Sequence, residues 1–512
     1  MNKKNQKNFI RFQRALRHGA LRVSPKEAGL GRWVWAVLAA VAGFLALRAV
    51  FWVGYIGSDD SLYWQEATHW LRQAPYLADN HWGLRHSLVL PIALGRVLLG
   101  ERQIALVLPV LLASLGCIVV LGVLLRRLGG LAMAFALALV VSNQQFVLQS
   151  SIAYIDFIET FFVLLSLTLF LEGMRAEARR PLLWLFLGGV AAGFAMVSRE
   201  TSVFYLLALF VLFLAGYGGA RWTYFVFGLG VVLVVGCEML SLHAATGDFL
   251  YRYHVAAGHD SEIDRWVEQG SGVPAIHPLV DPVLMLLFNH SFGLLFTLGV
   301  ALAVYGARRP LHPAESGPMI RLLVPVAVIW TLICALWWSQ LALVPRYYAL
   351  PSFLVAILAA IGLARLAQAG RPRVAALICA GMVAVNVAAL FVGNDNFMFG
   401  EQALAALAQR QGEVIHTDKQ TYRRAEMILH WNGEDERVTD APAGSGQLFY
   451  FNPPRLPQGV QPGAAWVEVA RPAVPPTRVQ RVAQMLQPLG IVPAGLIARL
   501  QGHSGAVLYR LP

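Results

Sequence analysis

"SLVLPIALGRVLLG", residues 87–100, decides how this chain is threaded. If the run crosses a membrane, every later segment changes sides. A helix needs roughly 20 apolar residues to cover the hydrocarbon core. This run is too short for that and holds Pro91 and Arg96. It reads as an interfacial or re-entrant helix and not as a crossing.

The rest of the chain makes a membrane the right frame. Its 512 residues are 57% hydrophobic and 14% charged, with a mean hydropathy of +0.56. Soluble domains carry about 25% charged residues. Apolar runs recur at 33–53, 103–125, 129–148, 152–172, 182–197, 200–216, 222–243, 283–306, 320–338, 346–367 and 373–392. The expected fold class is therefore an all-α polytopic membrane protein with about eleven transmembrane helices. The first run is too long for a signal peptide and lacks a small-residue cleavage signature, so it reads as retained. Cys117, Cys237, Cys334 and Cys379 all sit in apolar runs, which suggests no disulfide framework. The net charge of +12 points to membrane orientation rather than to a nucleic-acid partner.

Charge also tests the reading of 87–100. Lys3, Lys4, Lys7, Arg11, Arg14, Arg17 and Arg22 put the N-terminus in the cytoplasm. If 87–100 does not cross, the basic turns at Arg126–Arg127, Arg175–Arg180, Arg308–Arg309 and Arg365–Arg373 all fall inside as well. Counting it as a span would put all of them outside. The chain then divides into a basic cytoplasmic segment (1–32), a membrane domain (33–392) with outer loops 54–102 and 244–282, and an extracytoplasmic tail (393–512). In that tail "EVIHT" (413–417), "QLFYF" (447–451) and "AWVEV" (465–469) read as strands, and "EQALAALAQR" (401–410) and "TRVQRVAQML" (477–486) as helices. A small soluble α/β domain is expected there.

On this threading, Asp59, Asp60, Arg85, His86, Asp156, Glu159, Arg199, Glu200 and Arg346 converge on the outer face. Ionisable groups at a membrane boundary are costly unless they are paired or functional. Carboxylates can take a proton or hold a metal, and arginine forks match phosphate oxygens. The set fits chemistry on a lipid-linked phosphate at the bilayer surface. Plainer roles compete. Asp59 and Asp60 can favour the start of the helix in "DDSLYWQEATHWL". Asp156 can be an interhelical hydrogen-bond partner, Arg199–Glu200 a local ion pair, and Arg346 an interfacial anchor. The histidines of "YRYHVAAGHD" (251–260) suggest metal ligands without close ligand spacing. A divalent metal ion stays open as a cofactor, with Glu200, His254 and His259 as its candidate ligands.

Four stretches, in this order on this topology, carry a family resemblance: "DDSLYWQEA" (59–67), "HSLVLPIALGRVLLGE", "LQSSIAYIDFIETFFVLLSLTLF" and "VPRYYALPSFLVAILAAIGLARL". Over about residues 33–392 the chain resembles the GT-C glycosyltransferases that use polyprenyl-phosphate sugars. The branch is that of protein O-mannosyltransferases and lipid A aminoarabinose transferases. The resemblance implies that Asp59 is the catalytic aspartate, with Asp60 beside it, and that Asp156 is the second acid of the site. It implies Arg346 near the donor phosphate; Arg199 and Arg85, placed on the same face beside the acids, are candidate phosphate ligands with it, and Glu200, His86, Tyr63 and Tyr347 are candidate supporting residues. Asp60 stands where glutamate is usual, Arg85–His86 where Lys-Pro is common, and Ser198-Arg199-Glu200 where Thr-Lys is common. These departures bear on donor specificity more than on reaction type.

The implied partners are a polyprenyl-phosphate-linked sugar donor, a lipid, glycan or protein acceptor, and the bilayer, with no nucleic acid. The implied reaction is an inverting displacement on the outer face of a plasma membrane, the bacterial inner membrane, with Asp59 accepting the acceptor's proton. The alternatives are a lipid-linked glycan ligase or polymerase of the same superfamily, a lipid-linked glycan transporter, and a non-catalytic assembly partner. A transporter predicts internal repeats and a polar path at the midplane, and the sequence displays neither.

Overall fold

The computed structural model describes all residues except 1–29, 176–177, 219, 259–275, 310, 312, 338–340, 342, 394–397, 457–458, 474–475, 477, 491 and 501–504. The first half of the chain holds helices α1 (Leu30–Val50), α2 (Asp59–Gln73), α3 (His86–Leu99), α4 (Gln103–Leu125), α5 (Gly130–Ser142), α6 (Gln144–Gln149), α7 (Asp156–Gly173), α8 (Pro181–Ser198), α9 (Val203–Leu214) and α10 (Trp222–Thr246). Then come α11 (Tyr251–Ala257), α12 (Asp281–Phe288), α13 (Val300–Arg308), α14 (Pro313–Leu336), α15 (Ala349–Gln368) and α16 (Pro372–Gly393). Every one of the eleven expected apolar runs is helical.

Among the described residues, seven helices are long and apolar enough to cross a membrane: α1, α4, α8, α10, α14, α15 with its preceding turn, and α16. The other four expected spans are shorter, interrupted or acidic, each for a local reason. The run 129–148 breaks at Asn143, whose side chain accepts the Phe146 amide and starts α6 anew. The run 283–306 is split by Asn289–Gly293 and by a π-helical turn at Leu295–Gly299. α9 is only 12 residues long. α7 carries Asp156, Glu159 and Glu172 along its length.

The run that decides the threading is the 14-residue helix α3, about 21 Å long and short of the hydrocarbon thickness. Leu90, Leu94, Val97 and Leu98 form an outward apolar face, with Leu94 58% and Leu98 70% exposed. Arg96, on the other face, is buried. It donates to Thr68 Oγ1 at 2.6 Å and to Glu101 at 2.8 Å, and stacks over the Trp64 ring. Its charge ties α3 to α2 and leaves the apolar face exposed.

α15 is the axis of the bundle, buried along nearly its whole length. α8 and α10 cross at touching glycines: a Cβ on Gly189 would lie 1.9 Å from the Phe227 carbonyl oxygen. Such small-residue contacts let membrane helices approach backbone to backbone.

The tail forms a five-stranded sheet with α17 (Phe399–Ala408), α18 (Lys419–Asn432), α19 (Arg478–Leu486) and α20 (Ala494–Leu500). Its strands β1 (Ile415–Thr417), β2 (Val438–Thr439), β3 (Leu448–Phe451), β4 (Val467–Ala470) and β5 (Val507–Arg510) run in the order β2-β1-β3-β5-β4. β1 pairs in parallel with β2 and β3, and β5 pairs antiparallel with β3 and β4. Three strands and two helices agree with the sequence reading. β2, β5, α18 and α20 are additions. α18 has a consequence for the site: Trp431 packs edge-on against Tyr55 and Trp64, and Arg424 donates to the Ile56 carbonyl. The tail thus braces the loop that leads into α2.

Candidate active site

Asp59 and Asp60 open α2 but face different surroundings. Asp60 is fully buried and closes the turn before the helix. Its carboxylate accepts the backbone N–H groups of Ile56 at 2.7 Å, Ser58 at 2.7 Å and Ser61 at 3.1 Å. Burial pushes it up to about 6, against the pull of those amides. Asp60, the second residue of α2, thus holds the preceding turn and one first-turn amide. Asp59 makes no cap and reaches across to Arg346, whose Nη1 donates to its Oδ2 at 3.2 Å. Burial alone would raise the Asp59 carboxyl, but the Arg346 and Arg85 guanidiniums outweigh it and hold the group below its usual range.

Arg346 sits in the turn Pro345–Tyr348 at the head of α15. Gln145 of α6 donates to the Pro345 carbonyl at 2.8 Å, and Trp330 of α14 donates to that of Tyr347 at 2.9 Å, so two other helices fix the turn. The guanidinium lies over the rings of Tyr154, at 5.0 Å, and Tyr347, at 5.5 Å. Arg199 lies 4.5 Å from the same Tyr347 ring. That ring joins the two arginines, a cation–π arrangement that orders both forks.

Arg199 ends α8 and pairs with Asp156 at the start of α7. Glu159, one turn on, accepts Thr201 Oγ1 at 2.6 Å and Ser202 Oγ at 2.8 Å, which holds the turn after Arg199. A small pocket opens between Asp156, Glu159, Arg199, Trp330, Arg346 and Tyr347. Arg85, just ahead of α3, donates to the Tyr63 hydroxyl of α2. Burial lifts that phenol to about 12, so it stays a neutral partner. Arg85 feels the carboxylates of Glu200 and Asp59, and its Nε is buried with no hydrogen-bond acceptor.

The structure thus brings Asp59, Arg346, Tyr347, Arg199 and Asp156 together, with Arg85 and Tyr63 alongside. It draws others elsewhere. His86 lies 3.7 Å from Glu238 and edge-on to Trp70. Glu200 is taken by Arg252 of α11 at 2.9 Å. His254 pairs with Asp248 at the surface, 65% exposed. Arg252 and His254 are two residues apart on a helix, so they point about 200° apart around its axis. Glu200 and His254 therefore do not converge on one ion, and His259 lies outside the described residues. Among the described residues no three His, Cys, Asp or Glu side chains cluster as metal ligands.

Sequence reasoning passed over Tyr154 and Arg252. Arg252 is buried and bridges Glu200, the Leu84 carbonyl at 2.8 Å and Glu238 at 2.9 Å. It lies within "YRYHVAAGHD", where the histidines drew the reading. An arginine just beyond a span that itself carries Glu238 was the signal for it.

Residues 88–239 match the model of the dolichyl-phosphate-mannose-protein mannosyltransferase family. Among solved structures, ArnT from Cupriavidus metallidurans bound to undecaprenyl phosphate aligns with a TM-score of 0.57 at 13% identity, over 87% of this chain and 97% of that one. The Archaeoglobus fulgidus oligosaccharyltransferase in complex with Zn and sulfate aligns with a TM-score of 0.51 at 15% identity, over 79% of this chain and 62% of that one. AglB from the same organism, in complex with an inhibitory peptide and a dolichol-phosphate, gives 0.52 at 13% identity, over 79% of this chain and 64% of that one. The chain spans nearly the whole length of ArnT but less than two thirds of the archaeal oligosaccharyltransferases. No curated protein sequence matches it. At these identities the likeness is one of fold: this is a multi-pass membrane protein with the GT-C fold.

Proposed function

We propose that this chain, a membrane protein of the GT-C fold, transfers a sugar from a polyprenyl-phosphate carrier to a hydroxyl of a lipid, glycan or protein acceptor. The observation that carries the reading is the Asp59–Arg346 pair. Asp59 leaves the helix-end hydrogen bonding to its neighbour and meets an arginine 287 residues away. Both side chains stay about one-fifth exposed, at 21% and 19%.

Asp59 accepts the proton of the acceptor hydroxyl as its oxygen attacks the anomeric carbon. The bond from that carbon to the carrier phosphate breaks, and the phosphate oxygens take the electron pair. The leaving group needs charge stabilisation and no proton, which preorganised guanidiniums supply. Arg346 uses Nη1 on Asp59 and retains further donors for phosphate. One fork can hold the base and the leaving group next to each other. A single displacement inverts the anomeric centre. Asp60 is a positioning residue that shapes the turn under Asp59, and Asp156 orients Arg199. Among the described residues the nearby acids are engaged by arginines, amides or hydroxyls, a poor fit to a metal site.

Asp59→Asn tests the role. It keeps size and most hydrogen bonding but removes the basic oxygen. Transfer in membranes with matched protein levels is expected to fall by about 10²–10⁴, and near-normal turnover would end the claim. We further place the N-terminus in the cytoplasm of a bacterial cell, the transferase unit (33–392) in its inner membrane, and the tail (393–512) in the periplasm. Reporter fusions after Arg127 and after Gly400 should report opposite compartments, with Arg127 inside; the reverse would overturn the orientation.

A further inference from the structure

We infer that the end of the bundle away from Asp59 carries a binding pocket for the phosphate head group of an anionic phospholipid. Arg346 heads α15, and the other end of that helix lies about 30 Å away. There α13 packs on α15 through Gly306 and Gly362: a Cβ on Gly306 would lie 2.9 Å from the Gly362 amide nitrogen, and one on Gly362 2.1 Å from the Leu302 carbonyl oxygen. The contact holds the two helix ends together. Beyond it Tyr305 and Arg308 of α13, with Arg309 just past its end, face Leu366, Ala369 and Arg371 across a cavity of about 440 Å³ that is open to solvent. Arg365 lies one turn before Ala369, on the same side of α15, and its Nε is buried without an acceptor.

The basic cluster beside it shows what is unusual here. Arg126, Arg127 and Arg175 share Glu172, at 3.1, 3.4 and 3.1 Å, and Arg175 also meets Glu315 at 3.1 Å. α7 ends at this second cluster and begins at Asp156, so both clusters lie at the same end of the bundle. None of Arg308, Arg309, Arg365 and Arg371 has a carboxylate partner among the described residues. Helix C-termini favour cations, but that attraction leaves the mutual repulsion of converging guanidiniums unrelieved. A phosphate relieves it, and arginine forks fit its oxygens. The surface leading into the cavity selects the source of that phosphate. Val304 and Val300, 45% and 39% exposed, lie one and two turns before Arg308 on α13. An apolar strip running into a cationic pocket matches an acyl chain below a charged head group, as in basic inter-helix pockets at membrane faces.

The test uses the full chain in detergent, titrated with phosphatidylglycerol, phosphatidylcholine or inorganic phosphate and read by native mass spectrometry. Phosphatidylglycerol should be retained at least tenfold more tightly than phosphatidylcholine. R308Q/R309Q/R371Q should lose that preference by at least tenfold, whereas R126Q/R127Q at the neutralised cluster should keep it. Folding is checked by monodispersity and melting midpoint. Should the triple variant fail that check, R371Q alone, at an exposed position, should weaken retention about threefold. Equal retention of the two lipids, or a preference unchanged in the pocket variants, overturns the site. Displacement of phosphatidylglycerol by millimolar inorganic phosphate overturns the lipid assignment in favour of a soluble phosphate.

Discussion

Two aspartate–arginine pairs stand side by side in the candidate site, and they differ in what surrounds them. Asp156 and Arg199 are closed in, with side chains 4% and 8% exposed, and each is set by a helix end. Asp59 and Arg346 join the start of α2 to the head of the central helix and stay partly open. A buried pair cannot easily be parted, because removing one partner strands a charge in low dielectric. A half-open pair gains less from its own attraction and can turn a face to a ligand. Tyr347 touches both arginines. The closed pair is thus the anvil for the open one: it fixes the ring against which Arg346 rests.

The largest difference should appear in stability. Arg199→Ala strands Asp156 and is expected to cost about 3–5 kcal/mol, read as a clear drop in melting midpoint in detergent. Arg346→Ala should cost no more than about 1 kcal/mol, as expected of a partly exposed pair. Equal losses in the two variants would erase the distinction.

Ligand binding should then reverse the ranking. If Arg346 holds the carrier phosphate, Arg346→Ala removes a charge-assisted hydrogen bond worth about 1.5–3 kcal/mol. Affinity for a polyprenyl phosphate should fall at least about tenfold, measured by competition in folded protein. Arg346→Lys keeps charge but not the fork and should recover only part of it. Unchanged affinity would leave Arg346 a membrane anchor.

Much of this was legible in the sequence, and the remainder failed for physical reasons. Helical runs follow from local apolarity, so all eleven appeared where expected. Breaks such as Asn143 depend on a single side chain finding an amide, and periodicity does not register that. The positions of Asp59, Asp156, Arg199 and Arg346 near one face follow from threading, but their pairing does not. Read from the residues alone, Asp59 and Asp60 shared one helix-start role, and only the resemblance singled out Asp59. Only the turn at Ile56–Ser58, braced by Arg424 and Trp431 of α18, separates their roles. α18 itself is poorly apolar overall, and it sets Ala425 and Leu429 into the core of the tail. Arg252 was hidden because a charged residue is legible as structural only once its carboxylates are seen beside it.

The smallest expected effect separates Asp60 from Asp59 by pH. Burial pushes the Asp60 carboxyl up to about 6, whereas Arg346 and Arg85, against burial, hold Asp59 below its ordinary value. As pH falls, Asp60 therefore takes its proton first. A protonated Asp60 accepts the amides of Ile56, Ser58 and Ser61 poorly, so the turn under Asp59 should loosen. Transfer should drop about twofold at pH 6 and about tenfold at pH 5, as expected for one group that must be ionised. Stability moves the other way for this group. Its carboxyl titrates higher in the folded than in the unfolded chain, so its contribution is fully present below the unfolded value and is lost as pH rises through about 6. Activity should therefore decline between pH 7 and 5 with no fall in melting midpoint traceable to Asp60. Asp60→Asn should give a lower but flatter profile over that range, because nothing at that position then titrates. An acid limb that persists unchanged in Asp60→Asn would assign the titration to another group and return the two aspartates to equivalence.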